Sequence, residues 1–457
     1  MKQFVLILFS LFVFQGFSQD TLKVLTLEQY LQHVKENHPY AIVASNQVEQ
    51  AEQVIRMSKG AFDPVAFAGI DQKYYDGKMY YSTLTSGLKI PTRLGIDFKV
   101  AGDWNRGEYL NEEHTLPNGG LTYLGVEVPI GRGLFTDERR TQLRRSQVAL
   151  NQSIFEQQLT LNELLYEAGQ HFINLQEQNA QLELAEEGFR IAQIRYNQIK
   201  IESEIGERAF LDTVEASAQL FLRQVDVQQR RLNRQNALLA VEVFLWEKGT
   251  LPLKLDTSLQ IEKISKATRQ ALPNVSIDQN PDLLLYSTKL SDLELERRLK
   301  VEQLKPQLNF NYNLLQTPDD LISMNLDYTN YKWGASFYMP LFLRKERSSL
   351  QVTKLKIENT QFQQIQKQRE LETKLLQNRQ NWVVTLDQME TSETIAQRYF
   401  LLSEAERNFF NIGESSLFLV NAREISYLSA QSKYLEFIAK AYKFNLTDRY
   451  VRGELGR

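Results

Sequence analysis

Proline and glycine are distributed along this chain in a pattern that occurs twice, and that duplication constrains the fold more than any single motif. Pro39, after Asn37-His38, is followed 25 residues later by Pro64; Pro281, after Asn280, is followed 25 residues later by Pro306. Each pair brackets a charged segment of helical period. Beyond the second proline of each pair the residues alternate, as far as Val128-Pro129-Ile130 in one copy and Met339-Pro340-Leu341 in the other. A long run without proline follows each: none lies between Pro129 and Pro252, and none follows Pro340. The chain reads as a tandem copy of one unit, helix, then strands, then long helices.

The alternating segments are period-2 strands of roughly ten residues, the length that crosses a bilayer obliquely. In residues 94–104, Leu94, Ile96, Phe98, Val100, Gly102 and Trp104 share one face, opposite Gly95, Asp97, Lys99, Ala101 and Asp103. Thr122, Leu124, Val126 and Val128 form a second such face. In the second copy Leu308, Phe310, Tyr312 and Leu314 alternate with Gln307, Asn309, Asn311 and Asn313. Tyr331, Trp333, Ala335, Phe337 and Met339 alternate with Lys332, Gly334, Ser336 and Tyr338. One face suits lipid or a core and the other suits water. A soluble sandwich would need more strands than each copy supplies. Aromatics gather near the strand ends, at Tyr74, Tyr75, Tyr80, Tyr81, Trp104, Tyr109, Tyr328, Tyr331 and Phe342, as in interfacial girdles. The first copy spends 65 residues between Pro64 and Pro129 and the second 34 between Pro306 and Pro340. The extra 31 residues, which include 80–91 and the polar stretch 107–120, read as an enlarged surface loop or a loop with one extra hairpin.

The remaining segments are helical. Thr26 opens the first, residues 27–59, in the manner of an N-cap, although Gln29 stands where a capping acid is preferred. Leu161, Ala168, Leu175, Leu182, Phe189 and Tyr196 recur every seven residues, as do Leu211, Ala218, Val225, Leu232, Leu239 and Trp246. Leu375, Trp382, Met389, Ala396, Ser403 and Phe410 keep the same spacing in the second copy. Sustained heptads make helices that pack lengthwise on neighbours. Between Pro340 and Gly453 the one glycine is Gly413, and Gly206 separates the first two heptad runs; both mark helical hairpin tips. The run 134–205 has 72 residues, and the segments 27–59 and 207–248 have 75 between them. One long helix is thus matched by two shorter ones end to end, over about 100 Å. A globular core has no use for such lengths, whereas a tube does.

Composition narrows the function. A net charge of −3 and the lack of a long basic run point away from nucleic acid, and the absence of cysteine excludes thiol chemistry, disulfides and a lipidated N-terminal cysteine. His33, His38, His114 and His171 lack zinc-site spacing, and Gly131-Arg132-Gly133 lacks the third glycine of a nucleotide fingerprint. No nucleophile and base pattern is visible, so an enzyme is not expected, nor a cofactor. Lys2, the apolar residues 4–14 and the small residues near Ser18 form a secretory signal over residues 1–19. No other window could span a bilayer as a helix, so a membrane crossing would have to be a β-barrel.

Together these features resemble the TolC-like outer membrane efflux proteins, over nearly the whole mature chain. The most specific piece is Phe410-Asn411-Ile412-Gly413-Glu414-Ser415-Ser416, which is similar to the family's tyrosine-asparagine-valine-glycine tip. Arg195-Tyr196, Ile205-Gly206-Glu207 and Phe210-Leu211-Asp212 play the same part in the first copy, and the entries at Asn37-His38-Pro39 and Asn280-Pro281 match the family's habit. The resemblance implies a mainly α fold with a membrane β-barrel part: a homotrimer in which each chain gives four strands to a shared twelve-stranded barrel in outer membrane lipid, above a periplasmic α-helical barrel. It implies a signal peptide at 1–19, a first repeat at 20–250 with strands within 64–130, a linker at 251–273 and a second repeat at 274–457 with strands within 307–340. A periplasmic adaptor (membrane fusion) protein and an inner-membrane transporter would dock at the tips, Ile205, Gly206, Glu207, Ile412, Gly413 and Glu414. The sequence departs from the family in one place. Leu419 and Ala422 stand where relatives carry the aspartates of an acidic ring, which leaves Asp212 and Asn421 as candidate residues of the tunnel-mouth gate. The expected function is a passive conduit of an efflux or secretion system. The alternative is a secreted or periplasmic structural coiled-coil protein without a channel.

Overall fold

The computed structural model describes residues 24–255, 260–267, 277–323 and 326–457. The expected signal segment, 1–19, lies outside the described residues, as does part of the expected linker. In chain order the elements are β1 (Val24–Leu25), α1 (Leu27–Asn37), α2 (Pro39–Gly60), β2 (Val65–Tyr75), β3 (Lys78–Pro91), β4 (Asp97–Arg106), β5 (Leu121–Gly131), α3 (Glu138–Glu204) and α4 (Phe210–Glu242). There follow β6 (Trp246–Glu247), β7 (Leu251–Pro252), β8 (Gln260–Ile261), α5 (Pro281–Glu302), β9 (Gln307–Gln316), α6 (Pro318–Ile322), β10 (Tyr331–Tyr338), α7 (Arg344–Asn411) and α8 (Leu417–Val451). Among the described residues no helix is long and apolar enough to cross a membrane.

The chain divides into two compact units. The unit built from residues 35–167, 268–388 and 441–457 holds a six-stranded antiparallel sheet in the order β10-β9-β5-β4-β3-β2. The strand count differs from the four that the resemblance implies. The extra residues of the first copy are not only a loop: β2 and β3 form a hairpin closed by Asp76-Gly77, both at positive φ (50° and 73°), the backbone of a tight two-residue turn. Residues 107–120 remain a loop with one 3₁₀ turn at Glu112–His114. β4 also starts later than the alternation suggests, at Asp97. Leu94 and Ile96 belong to the preceding turn, where Gly95 donates its N–H to Thr92 O and the Thr92 hydroxyl donates to Ile96 O.

The register lines up apolar residues of all six strands on one face, beginning where Ala66 pairs with Leu88. Leu88 pairs with Val100, Val100 with Leu124, Leu124 with Leu314, and Leu314 with Tyr331. On the opposite face Lys89 bridges Glu127 (3.0 Å) and Asp97 (3.1 Å), and Arg139 closes on Asp97 (3.0 Å). The apolar face is exposed: Ile70, Phe98, Trp104, Trp333 and Phe337 all present large side chains outward.

Below the sheet, helices of the same unit pack through Ile277, Leu283, Leu371, Leu375 and Val451. Asparagines tie them together. Asn280 caps α5, its Oδ1 accepting from Asp282 N–H (2.8 Å) while its Nδ2 donates to Val451 O (2.7 Å). Asn162 donates to Tyr450 O and Asn378 to Phe444 O. Fully buried Asp448 is held by Arg452 (2.8 Å) and Arg379 (3.3 Å). The first helical segment is broken, not continuous over 27–59. Proline at position 39 disfavours helical backbone at His38, which is extended (ψ 138°) and caps α2 with its Nδ1 accepting from Tyr40 N–H (3.2 Å). Burial pulls the His38 imidazole below its usual pKa, which keeps it the neutral acceptor that this cap needs.

The other unit, residues 1–34, 168–267 and 389–440, joins parts of α1, α3, α7 and α8 with all of α4. Thr26 and Gln29 make the reciprocal pair of a capping box, glutamine serving where an acid is preferred. Tyr30 is buried, stacked on Phe172 (5.0 Å) with its hydroxyl donating to Val241 O (3.1 Å). β1 and β8 pair in parallel and β6 and β7 form a small hairpin, so the described part of the expected linker carries short strands.

Candidate functional site: the paired helical tips

Two helices of the second unit must end and reverse, and both do so with the same backbone device. At the end of α3 the Gly206 N–H donates to Ser203 O (3.1 Å) and the Glu207 N–H to Glu202 O (2.8 Å). At the end of α7 the Gly413 N–H donates to Phe410 O (3.1 Å) and the Glu414 N–H to Phe409 O (2.9 Å). These are the two bonds of a Schellman cap, and the glycines sit in the left-handed region at φ 82° and 81°. Glycine takes that conformation without steric cost, whereas a β-branched residue does not.

The expected docking residues all lie in these turns, and Ile205, Gly206, Glu207, Ile412, Gly413 and Glu414 are all exposed. Large apolar side chains stand beside them: Phe210 is 77% exposed, Leu211 74% and Phe418 69%. Beneath the turns Ile199, Ala216, Phe410, Leu417 and Val420 form a buried cluster with Tyr196 against it. Arg208 fastens the first turn to the second: it pairs with Glu202 (2.9 Å) and lies 4.1 Å over the Phe410 ring. In the second turn the Ser415 hydroxyl donates to Glu406.

The two candidate gate residues occupy different settings. Asp212 is half-buried in the first turn of α4, where a carboxylate meets the positive end of the helix. Asn421 is 6% exposed and is bonded on both sides. Its Oδ1 accepts from Arg195 (3.0 Å) and its Nδ2 donates to Glu215 (3.0 Å), while Arg195 also pairs with Glu424. Asn421 therefore joins α3, α4 and α8. Burial also draws the Arg223 guanidinium below its usual pKa, opposed by Glu424 and Asp226. Sequence reasoning did not single out Glu215, Arg223 or Glu424, because the partners of this network come from separate helices and no local spacing links them.

Arg195 and Glu424 are each only 10% exposed, so removing one partner strands the other. Arg195→Ala is expected to cost about 3–5 kcal/mol, the range for breaking a buried pair. Thermal unfolding measures the loss, and faster proteolysis within α4 and α8 would locate it. A variant that melts and digests like the parent would show that the network holds nothing.

Among the described residues no cluster of histidine, aspartate and glutamate could hold a metal ion. No protein-family model and no curated protein sequence matches the chain. Solved structures do match it. The Campylobacter jejuni CmeC outer membrane channel is 14% identical with a TM-score of 0.67, over 94% of this chain and 85% of its own. The Neisseria gonorrhoeae MtrE outer membrane channel, in its open state, is 13% identical with a TM-score of 0.68, over 94% and 88%. The outer membrane protein VceC of Vibrio cholerae is 12% identical with a TM-score of 0.65, over 93% and 96%.

Proposed function

Starting from the TolC-like fold that this chain has, we propose that it is the outer membrane channel-tunnel of a tripartite efflux or secretion system, working as a homotrimer. The observation that carries the proposal is the sheet. Its exposed apolar face suits lipid, and its opposite face, with Lys89, Asp97, Lys99, Glu127 and the asparagines of β9, suits a water-filled lumen. The mainly helical remainder forms a periplasmic tunnel. A periplasmic adaptor meets the turns at Ile205, Gly206, Glu207, Ile412, Gly413 and Glu414, and an inner-membrane transporter supplies the energy. Opening separates the tip helices. It must overcome the Arg195, Asn421, Glu215 and Glu424 network. Three copies of Asp212 near the mouth favour cations over anions.

Membrane fractionation of cells expressing the chain tests this reading. Recovery in the outer membrane, with ion conductance in planar bilayers after reconstitution, is the expected result. Recovery as a soluble periplasmic protein would replace the channel with a structural coiled-coil protein.

A further inference from the structure

We propose that three copies of this chain close an eighteen-stranded barrel, in which β2 of each copy pairs with β10 of the next and Asp71 faces the partner's Lys332. The inference rests on the trimeric channel proposed above and goes beyond it in the number of strands, their order and their register.

Among the described residues the sheet has six strands and two free edges, β2 and β10. Open edges are not tolerated in lipid, because unpaired backbone groups there find no water. β2 is the first strand of an up-and-down sheet and β10 the sixth, so they run in opposite directions and can pair antiparallel between copies. Both carry the apolar band to the edge: Ala66, Ala68 and Ile70 on β2, and Trp333, Ala335 and Phe337 on β10. Ile70 and Phe337 are each 69% exposed, so the outward apolar face continues to both edges.

The register follows from the pairing within the chain. The row across the sheet from Val65 passes Lys89, Lys99, Gly125 and Asn313 and reaches Lys332. Val65 opens β2, whereas Lys332 lies six residues before the end of β10. The row thus climbs six positions in each copy. With strand ends level, Asp71 meets the partner's Lys332, Ala68 meets the partner's Ala335 and Ile70 meets the partner's Trp333. Six positions per copy tilt the strands by about 35°, from the rise and spacing of strands, which lies within the range of natural barrels.

Other registers fare worse. A slip of one residue turns the apolar band of one strand into the lumen. A climb of four gives a tilt of about 25°, too shallow. A climb of eight sets Lys73 against the partner's Lys332, a repulsive pair. Among the described residues Lys332 has no carboxylate partner in its own chain. At equal tilt the lumen is about 1.5 times as wide as twelve strands would enclose, which admits bulkier solutes.

Since the chain has no cysteine, engineered pairs report without background. Ala68→Cys with Ala335→Cys places two thiols directly opposite between copies, at the separation a disulfide spans. Val100→Cys with Ala335→Cys reports the rival in which β4 is the edge of a twelve-stranded barrel. The full chain is extracted from outer membranes, sized natively, oxidised and resolved without reductant. Most of the first variant is expected as covalent trimer, and the second as monomer. Linkage of the second variant, or a native trimer in which neither links, would overturn the proposal while leaving the channel reading in place. Native monomer throughout would overturn both.

Discussion

Valine in place of Gly413 is expected to cut adaptor-dependent export about tenfold or more while the trimer stays assembled. The reason is local. Gly413 lies at φ 81° with no neighbouring atom near its missing side chain, so the obstacle to valine is backbone conformation and not space. A β-branched residue held in the left-handed region costs about 1–3 kcal/mol. The turn escapes that cost by abandoning its Schellman bonds, which moves Ile412 and Glu414. The sheet and the long faces of the helices, where sister chains meet in the proposed trimer, are untouched. Gly413→Asn should keep most of the activity, since asparagine tolerates this conformation. Export in cells and native mass of the extracted protein are the two readouts. Undiminished export by the valine variant would remove the second tip from the docking site.

The second large effect concerns assembly. Among the described residues nothing covers the heptad stripe of α4: Leu211, Val225, Leu232 and Leu239 are all half or more exposed. By contrast the stripe on α7, through Leu375, Trp382, Met389, Ala396 and Phe410, is buried. A second exposed heptad runs along α7 at Ile395, Leu402 and Phe409. In the proposed trimer the two stripes, on different helices, meet head to tail, a contact that closes into a ring when the rotation between copies is one third of a turn. Glutamates at Val225 and Leu232 put unpaired charge into each such contact, at several kcal/mol apiece. The double variant is expected to lose the trimer and keep the helical content of the monomer, because neither site is buried in the chain. Gln224→Glu, exposed about a quarter turn round α4 from both sites, is the control. A double variant that still sizes as a trimer would place the interface elsewhere.

The tips were legible because the helices are so poor in glycine that Gly206 and Gly413 stand alone between heptad runs. The β-strands of the second copy were legible from their large apolar residues. The β2–β3 hairpin was harder to read. Its lipid-facing positions include Ala66, Ala68, Ser82 and Ser86, small residues that blur the alternation of hydropathy. The signal that reveals it is Asp76-Gly77, the dipeptide suited to a tight hairpin turn. Helical period carried the reading across His38, although Pro39 already forbade a smooth helix there. The network around Asn421 left no trace in local spacing, since four residues on three helices meet only after packing. Asn421, expected as a candidate gate residue, is in the folded chain the centre of that network.

The native mass of the protein extracted from outer membranes tests the central claim most directly. An open sheet and unpartnered apolar stripes need sister chains, so the account predicts a species of three copies. A stable monomer, with β2 and β10 satisfied inside one chain, would contradict it.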